Sequence, residues 1–343
     1  MARPLFMRIT NALSAHNIYF TQRPDATGTQ GFASLHKVTT AMRMLAYGAP
    51  ADELDEYLRI GETTANDCLK RFTRAVVEVF GAQYLRAPNG EDTTRLMCQS
   101  ERRGFPGMLG SLDCMHWEWK NCPVGWQGQY RGHVHGPTII LEAVASYDMW
   151  IWHANFGMPG SHNDINVLDH SHLFDRLAEG QAPPVNYVVN GHQYTMGYYL
   201  ADGIYPEWAT LVKTIPSPLG RKKKYFAQRQ ESCRKDVERA FAALQNRFAI
   251  VRGPARGWNP DELHDIMTCC IILHNMITED EREIHPQGHG YDFMPAHEPV
   301  SHEHTTTLEQ FMANHEGIRN RQQHRQLQHD LVEHLWALRG DEE

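Results

Sequence analysis

Apolar positions recur at helical spacing early in the chain. Across residues 35–46, Val38, Ala41, Met42 and Leu45 repeat close to a 3.6-residue period. Gly48 supplies a stop, residues 51–58 make a second helix, and Gly61-Glu62-Thr63-Thr64 opens a third that runs to Val79. Helix, short helix, turn and longer helix outline a helix-turn-helix-like region over residues 35–81, with Thr63, Thr64, Asn66, Lys70 and Arg71 as groove contacts. The same outline fits a small bundle packed on a larger domain. Residues 1–34, broken by Arg23-Pro24-Asp25-Ala26-Thr27-Gly28, show little period and read as a poorly ordered opening segment.

Past a connector at 82–107, the pattern changes to short β-branched and aromatic runs. Strands are expected at 108–115, 139–146, 150–156, 187–189, 198–201 and 211–215. A helix is expected over 164–177, capped by Asn163-Asp164, and a long one over 223–250 with Val237, Phe241, Leu244 and Phe248 on one face. Three strands, a helix, a strand and a helix is the order of a ribonuclease-H-like domain. The expected fold is therefore an α/β nuclease core over 105–280, with a helical region before it and a helical tail after it. Asp261-Glu262-Leu263 opens a very apolar helix through Met276. Residues 281–343 read as a flexible linker, rich in His, Pro, Gly and acid, followed by one amphipathic helix carrying Leu327, Leu331 and Leu335.

Three blocks each set a carboxylate among apolar residues: Leu112-Asp113-Cys114, Ala201-Asp202-Gly203 and Val237-Glu238-Arg239. Asp113 falls within the first strand, Asp202 at the end of a later one, and Glu238 on the long helix. Hard carboxylate oxygens suit Mg²⁺ or Mn²⁺, and two such ions roughly 3.5–4 Å apart can clamp both oxygens of an in-line phosphoryl transfer. Each residue also has a plain explanation: Asp-Gly is a turn pair, and Glu238 lies one helical turn from Arg234. Asp164, in Gly160-Ser161-His162-Asn163-Asp164, is either a supporting residue near the site or a helix cap. Arg234 and Arg239 flank Glu238 as candidates for scissile phosphates.

Charge changes the picture only locally. The 343 residues carry a net charge of −8, the wrong sign for holding DNA unaided. Residues 221–256 nevertheless hold eleven Lys or Arg against three acids. Within them Arg221-Lys222-Lys223-Lys224 is a phosphate-contact strip, a nuclear-import patch or a solvated loop. Seven Cys without a Cys-x-x-Cys pair argue against a disulfide framework or a zinc ribbon, and Cys269-Cys270 sit in an apolar run as core. No run of about twenty apolar residues exists, so no membrane span is expected, and the start lacks a secretory core; we expect a soluble intracellular chain.

Leu112-Asp113-Cys114-Met115-His116-Trp117, Gly157-Met158-Pro159-Gly160-Ser161-His162-Asn163-Asp164, Ala201-Asp202-Gly203-Ile204-Tyr205-Pro206 and Val237-Glu238-Arg239-Ala240-Phe241 resemble, in order, the blocks of PIF/Harbinger-type transposases of plants. The likeness spans residues 105–280, and residues 35–80 resemble that family's amino-terminal helix-turn-helix region. The stretch ahead of them is short against the family's usual length, as a truncated start would leave it. The resemblance implies a DDE nuclease that cuts element ends and joins the freed 3′-hydroxyl to target DNA. Its catalytic metal ligands would be Asp113, Asp202 and Glu238, with two Mg²⁺ or Mn²⁺ ions. It also implies a Myb-like partner protein that helps with DNA binding and nuclear entry; homo-oligomerisation is left open. Two other readings compete: a domesticated transposase acting as a DNA- or protein-binding scaffold without cleavage, and a metal-dependent phosphohydrolase of small substrates.

Overall fold

The computed structural model describes residues 1–132, 136–284 and 306–342. At its centre is a five-stranded sheet built from β1 (Met108–Glu118), β2 (Thr138–Ala145), β3 (Ile151–Pro159), β6 (Tyr198–Ala201) and β7 (Leu211–Lys213), in the order β3-β2-β1-β6-β7. The first three strands form an antiparallel meander, whereas β6 joins β1, and β7 joins β6, in parallel. Every residue of β2 is buried, as expected of a strand covered on both faces.

Alternation along β1 sorts its side chains. Ser111, Asp113, Met115 and Trp117 face one side, and Leu112, Cys114 and His116 face the other. The first side is covered by α9 (Arg221–Arg234), α10 (Asp236–Arg247) and α12 (Pro260–Ile284). Gln230 fastens α9 to the sheet by donating from Nε2 to the Ala201 and Val212 carbonyls, 3.1 Å each. The Ser111 hydroxyl accepts the Val237 N–H at 3.0 Å, which sets the first turn of α10 over β1. On the second side, α7 (Asp164–Asp169) and α8 (Asp175–Ala178) pack through Leu168, Phe174 and their neighbours.

The sequence expects one helix over 223–250, but the chain breaks it at Lys235 and again at Phe248, ahead of α11 (Ala249–Arg252). Buried Asp236 opens α10 by pairing with Arg103 at 2.5 Å. The expected helix over 164–177 is likewise two short ones, with Asn163 capping the first through the Asn166 N–H. The expected tail helix is α13 (Leu308–Ile318) followed by α14 (Arg321–Glu342). Tyr187–Val189 is a strand, β4, but pairs outside the central sheet with β5 (His192–Tyr194). The linker expected from residue 281 starts instead as the last turn of α12, which runs to Ile284, and residues 285–305 lie outside the described residues.

The opening segment differs from expectation. It forms α1 (Arg3–His16), which buries Leu5, Ile9 and Leu13, one per turn. It joins α2 (Ser34–Tyr47) and α4 (Glu62–Tyr84) in the main core, while α3 (Glu53–Leu58) packs through Leu54 in a smaller cluster with Met44, Ala65 and Cys68. The 23-residue α4 buries Phe72, Val76 and Phe80 in that core, alongside Met267, Ile271 and Met276 of α12. The connector also holds a helix, α5 (Gly90–Arg102), closed at its start by an Asn89–Asp92 capping box, and a single turn, α6 (Gln127–Tyr130), lies between β1 and β2. Cys269 and Cys270 are buried, as core residues should be.

Candidate active site

The parallel pairing of β1 and β6 matches Ser111 with Leu200. Two residues further along the two strands come Asp113 and Asp202, and neighbouring strands run about 4.8 Å apart. By strand alternation both fall on the side covered by α9 and α10. Asp113 is half-buried within β1, while Asp202 is exposed just past the end of β6 and accepts the Gly203 N–H at 2.5 Å. Glu238 rises from the first turn of α10 above the same side.

Arg234, the last residue of α9, ties two of the three together. Its Nη1 lies 3.2 Å from Asp113 Oδ2 and 2.9 Å from Glu238 Oε1, while Nη2 lies 2.8 Å from Glu231 Oε1. The i, i+4 pair with Glu238 expected from sequence is therefore present, extended by two more carboxylates. Burial works against the Arg234 charge, but Glu231, Asp113 and Glu238 together hold its pKa above the usual guanidinium value. Burial pushes Asp113 up to about 6, against the pull of the Cys114 N–H and Arg234, and the charges of Asp164 and Glu238 add to the rise.

Asp164 approaches from the opposite side of the sheet. Burial raises its pKa, the neighbouring Cys114 thiol and His116 lower it, and Asp202 and Glu142 raise it further. It therefore sits within electrostatic reach of both strand carboxylates. Cys114 Sγ lies 3.5 Å from Tyr205 Oη, which closes this side beneath the site. Sequence reasoning missed Glu142, wholly buried and opposite Cys114 in the β1–β2 ladder, with its Oε2 3.2 Å from His153 Nε2. A charged residue inside the apolar run Ile139-Ile140-Leu141-Glu142-Ala143-Val144 was the available signal.

Other expected contacts are engaged elsewhere. Arg239 stacks on Tyr147 and pairs with Asp236 at 3.3 Å. Lys70 pairs with Glu262 at 2.7 Å, and Arg71 pairs with Asp67 at 2.8 Å while lying over the Tyr19 ring. Lys222 pairs with Glu333 of α14, whereas Arg221 and Lys224 line a cleft beside it. Trp117 is core, its Nε1 donating to the Gly253 carbonyl at 2.8 Å. A cavity of about 250 Å³ lined by Val144, Trp152, His153, Phe174 and Tyr199 touches none of the three carboxylates.

Asp113, Asp202 and Glu238 offer the hard oxygen donors that Mg²⁺ or Mn²⁺ takes. Among the described residues, however, no three His, Cys, Asp or Glu side chains stand grouped closely enough to hold a metal ion. The Arg234 guanidinium fills the space between Asp113 and Glu238, so an ion bridging those two would have to replace its contacts.

The chain has a mixed α/β core, with Asp113 within β1 and Asp202 just past the end of its parallel neighbour β6, and the sequence assigns it a family. Residues 82–285, more than half of the chain, match the family described as plant transposon protein, and the chain belongs to that family. It is 24% identical to "Protein ALP1-like" of Arabidopsis thaliana over 71% of this chain and 61% of that protein. The chain thus spans about three-fifths of the length of that relative. It is also 21% identical to "Putative nuclease HARBI1" of Bos taurus, over 72% of this chain and 68% of that one, and 22% identical to the Xenopus laevis protein of the same name, over 77% and 73%. No solved structure matches.

Proposed function

We propose that this chain is a metal-dependent DNA endonuclease of transposase descent, with a ribonuclease-H-like core. The observation that carries the reading is the placement of Asp113 and Asp202 two residues beyond a paired position on adjacent parallel strands, with Glu238 tied to Asp113 through Arg234. The strand order β3-β2-β1-β6-β7, antiparallel then parallel, supports the fold assignment. Family membership and the nuclease names of two relatives support the activity.

Asp113, Asp202 and Glu238 would hold Mg²⁺ or Mn²⁺ once Arg234 gives up its contacts and the three carboxylates draw together. Such ions, when bound, lower the pKa of water for attack on a phosphodiester and stabilise the departing 3′-oxygen. The chain's own contribution is to orient and neutralise. Asp113 is fixed by the Cys114 N–H at 2.8 Å, and Arg234 stands ready to move its donors from carboxylates to a substrate phosphate. Asp164 adds negative charge from behind. Strand transfer would use the same site with a DNA 3′-hydroxyl in place of water. With a net charge of −8, DNA binding and nuclear entry fit a Myb-like partner, and pull-down with such a protein tests that part.

The test of activity is cleavage of DNA carrying element ends with Mg²⁺ or Mn²⁺. Wild-type protein cuts, and Asp113→Asn, Asp202→Asn and Glu238→Gln each lose at least about a hundredfold in rate. Wild-type rates in the three variants would remove the site. One observation favours a second reading: with Arg234 between Asp113 and Glu238, the site is closed by an internal cation, as suits a DNA-binding scaffold that does not cut. DNA binding with no cleavage under any divalent ion would select it.

A further inference from the structure

At the far end of α9 from Arg234, the helix faces α14 across a cleft of about 460 Å³ lined by Arg221, Lys224, Tyr225, Gln228, Trp336 and Arg339. No carboxylate is among the described residues that line it. Arg221, Lys224 and Gln228 are spaced three and four residues apart, so they share one face of α9. The Tyr225 and Trp336 rings meet edge to face at 6.4 Å. The Arg339 guanidinium lies over both, 5.1 Å from the first centroid and 5.4 Å from the second. A guanidinium laid against aromatic rings loses little freedom when its N–H fork engages an anion, and the fork matches a phosphate. The Lys222–Glu333 ion pair and the burial of Leu331 and Leu335 hold α14 in place, so the cleft walls are anchored independently of any ligand.

We propose that this cleft binds the phosphodiester backbone of DNA outside the cutting site. Trp336 and Arg339 lie beyond residues 82–285, so one wall of the cleft is supplied by a helix outside the family match. Arg221 and Arg234 are the two ends of one 14-residue helix. At about 1.5 Å per residue they lie roughly 20 Å apart. With about 3.4 Å per nucleotide along a strand, that span is about six nucleotides. Helix α9 thus acts as a spacer between a phosphate at Asp113 and one in the cleft. Only this spacing rests on the proposed nuclease site; the binding itself does not.

The experiment is fluorescence anisotropy of the full chain with a labelled 30-base-pair DNA, in EDTA, across a salt series. The double variant Lys224→Ala/Arg339→Ala binds at least about tenfold more weakly and its log–log salt slope falls by about 2, one contact per cation. Trp336→Ala weakens binding while Trp336→Phe, which keeps a ring under Arg339, does not. Unchanged melting temperatures show that the variants are folded. Wild-type affinity and slope in the double variant overturn the proposal. So does a double variant that loses binding to vesicles bearing phosphatidylinositol bisphosphate but keeps its DNA affinity, since the cleft then takes a lipid headgroup. If the wild type also cuts, a methylphosphonate about six nucleotides from the cut weakens its binding and leaves the double variant unaffected. Cleft-dependent binding without cutting overturns the catalytic reading alone.

Discussion

Arg234 places Nη1 3.2 Å from the Oδ2 of Asp113, so the strand carboxylate that the nuclease reading assigns to a metal ion is already neutralised by the chain itself. The same nitrogen reaches Glu238 at 2.9 Å. Arginine and a divalent ion are then alternatives at one place. Replacing Arg234 with Gln leaves Asp113 half-buried without its cation, which costs about 1–3 kcal/mol in metal-free buffer. Millimolar Mn²⁺ recovers more of that loss in the variant than it adds to the wild type, measured as the shift in Tm. Equal shifts in the two proteins would mean that the ion and the arginine do not compete.

Asn275 is the pin of the helical layer. Wholly buried on α12, it accepts the Ile151 N–H at 2.9 Å and donates to the Ile151 and Tyr84 carbonyls at 2.7 Å each. It thereby satisfies the outer edge of β3 and the end of α4 at once. Asn275→Leu strands three buried backbone groups, and with about 1–3 kcal/mol per unsatisfied group the loss exceeds about 3 kcal/mol. Urea unfolding checks this. A loss below 1 kcal/mol, on the order expected of a surface site, would show that the edge of β3 finds other partners.

His274 makes folding sensitive to acid. Burial and the Arg247 charge push its pKa down to about 3, while its Nε2 donates to the Met149 carbonyl and Asp148 pulls the other way. Below pH 6.5 the unfolded chain takes up a proton at this histidine and the folded chain does not, so stability falls as pH falls. The slope is about 1.4 kcal/mol per unit between pH 6 and 4. His274→Gln removes that share, so its urea midpoint declines less than the wild type's from pH 7 to pH 5. Parallel declines would assign the acid sensitivity to other groups.

The strands of the central sheet were legible because β-branched and aromatic runs between turn residues leave few alternatives. What escaped lacked that punctuation or needed the third dimension. Helix α5 is polar, Gly90 to Arg102, and only its Asn89–Asp92 capping box announced it. The β4–β5 hairpin was signalled by Asn190-Gly191, both at positive φ. The break between α9 and α10 has no Gly or Pro to mark it and follows from the Arg103–Asp236 pair, which joins residues far apart in sequence. Asp113, Asp202 and Glu238 could be singled out along the chain. That Arg234 would lie between two of them, and that Arg239 would turn to Tyr147, depended on how α9 and α10 sit on β1.

The most direct measurement is anomalous diffraction from crystals of the full chain grown with Mn²⁺ and a short DNA duplex. Manganese peaks are expected between Asp113, Asp202 and Glu238, with the Arg234 guanidinium turned onto a phosphate. Ordered carboxylates with no manganese among them, and Arg234 still bonded to Asp113, would contradict it.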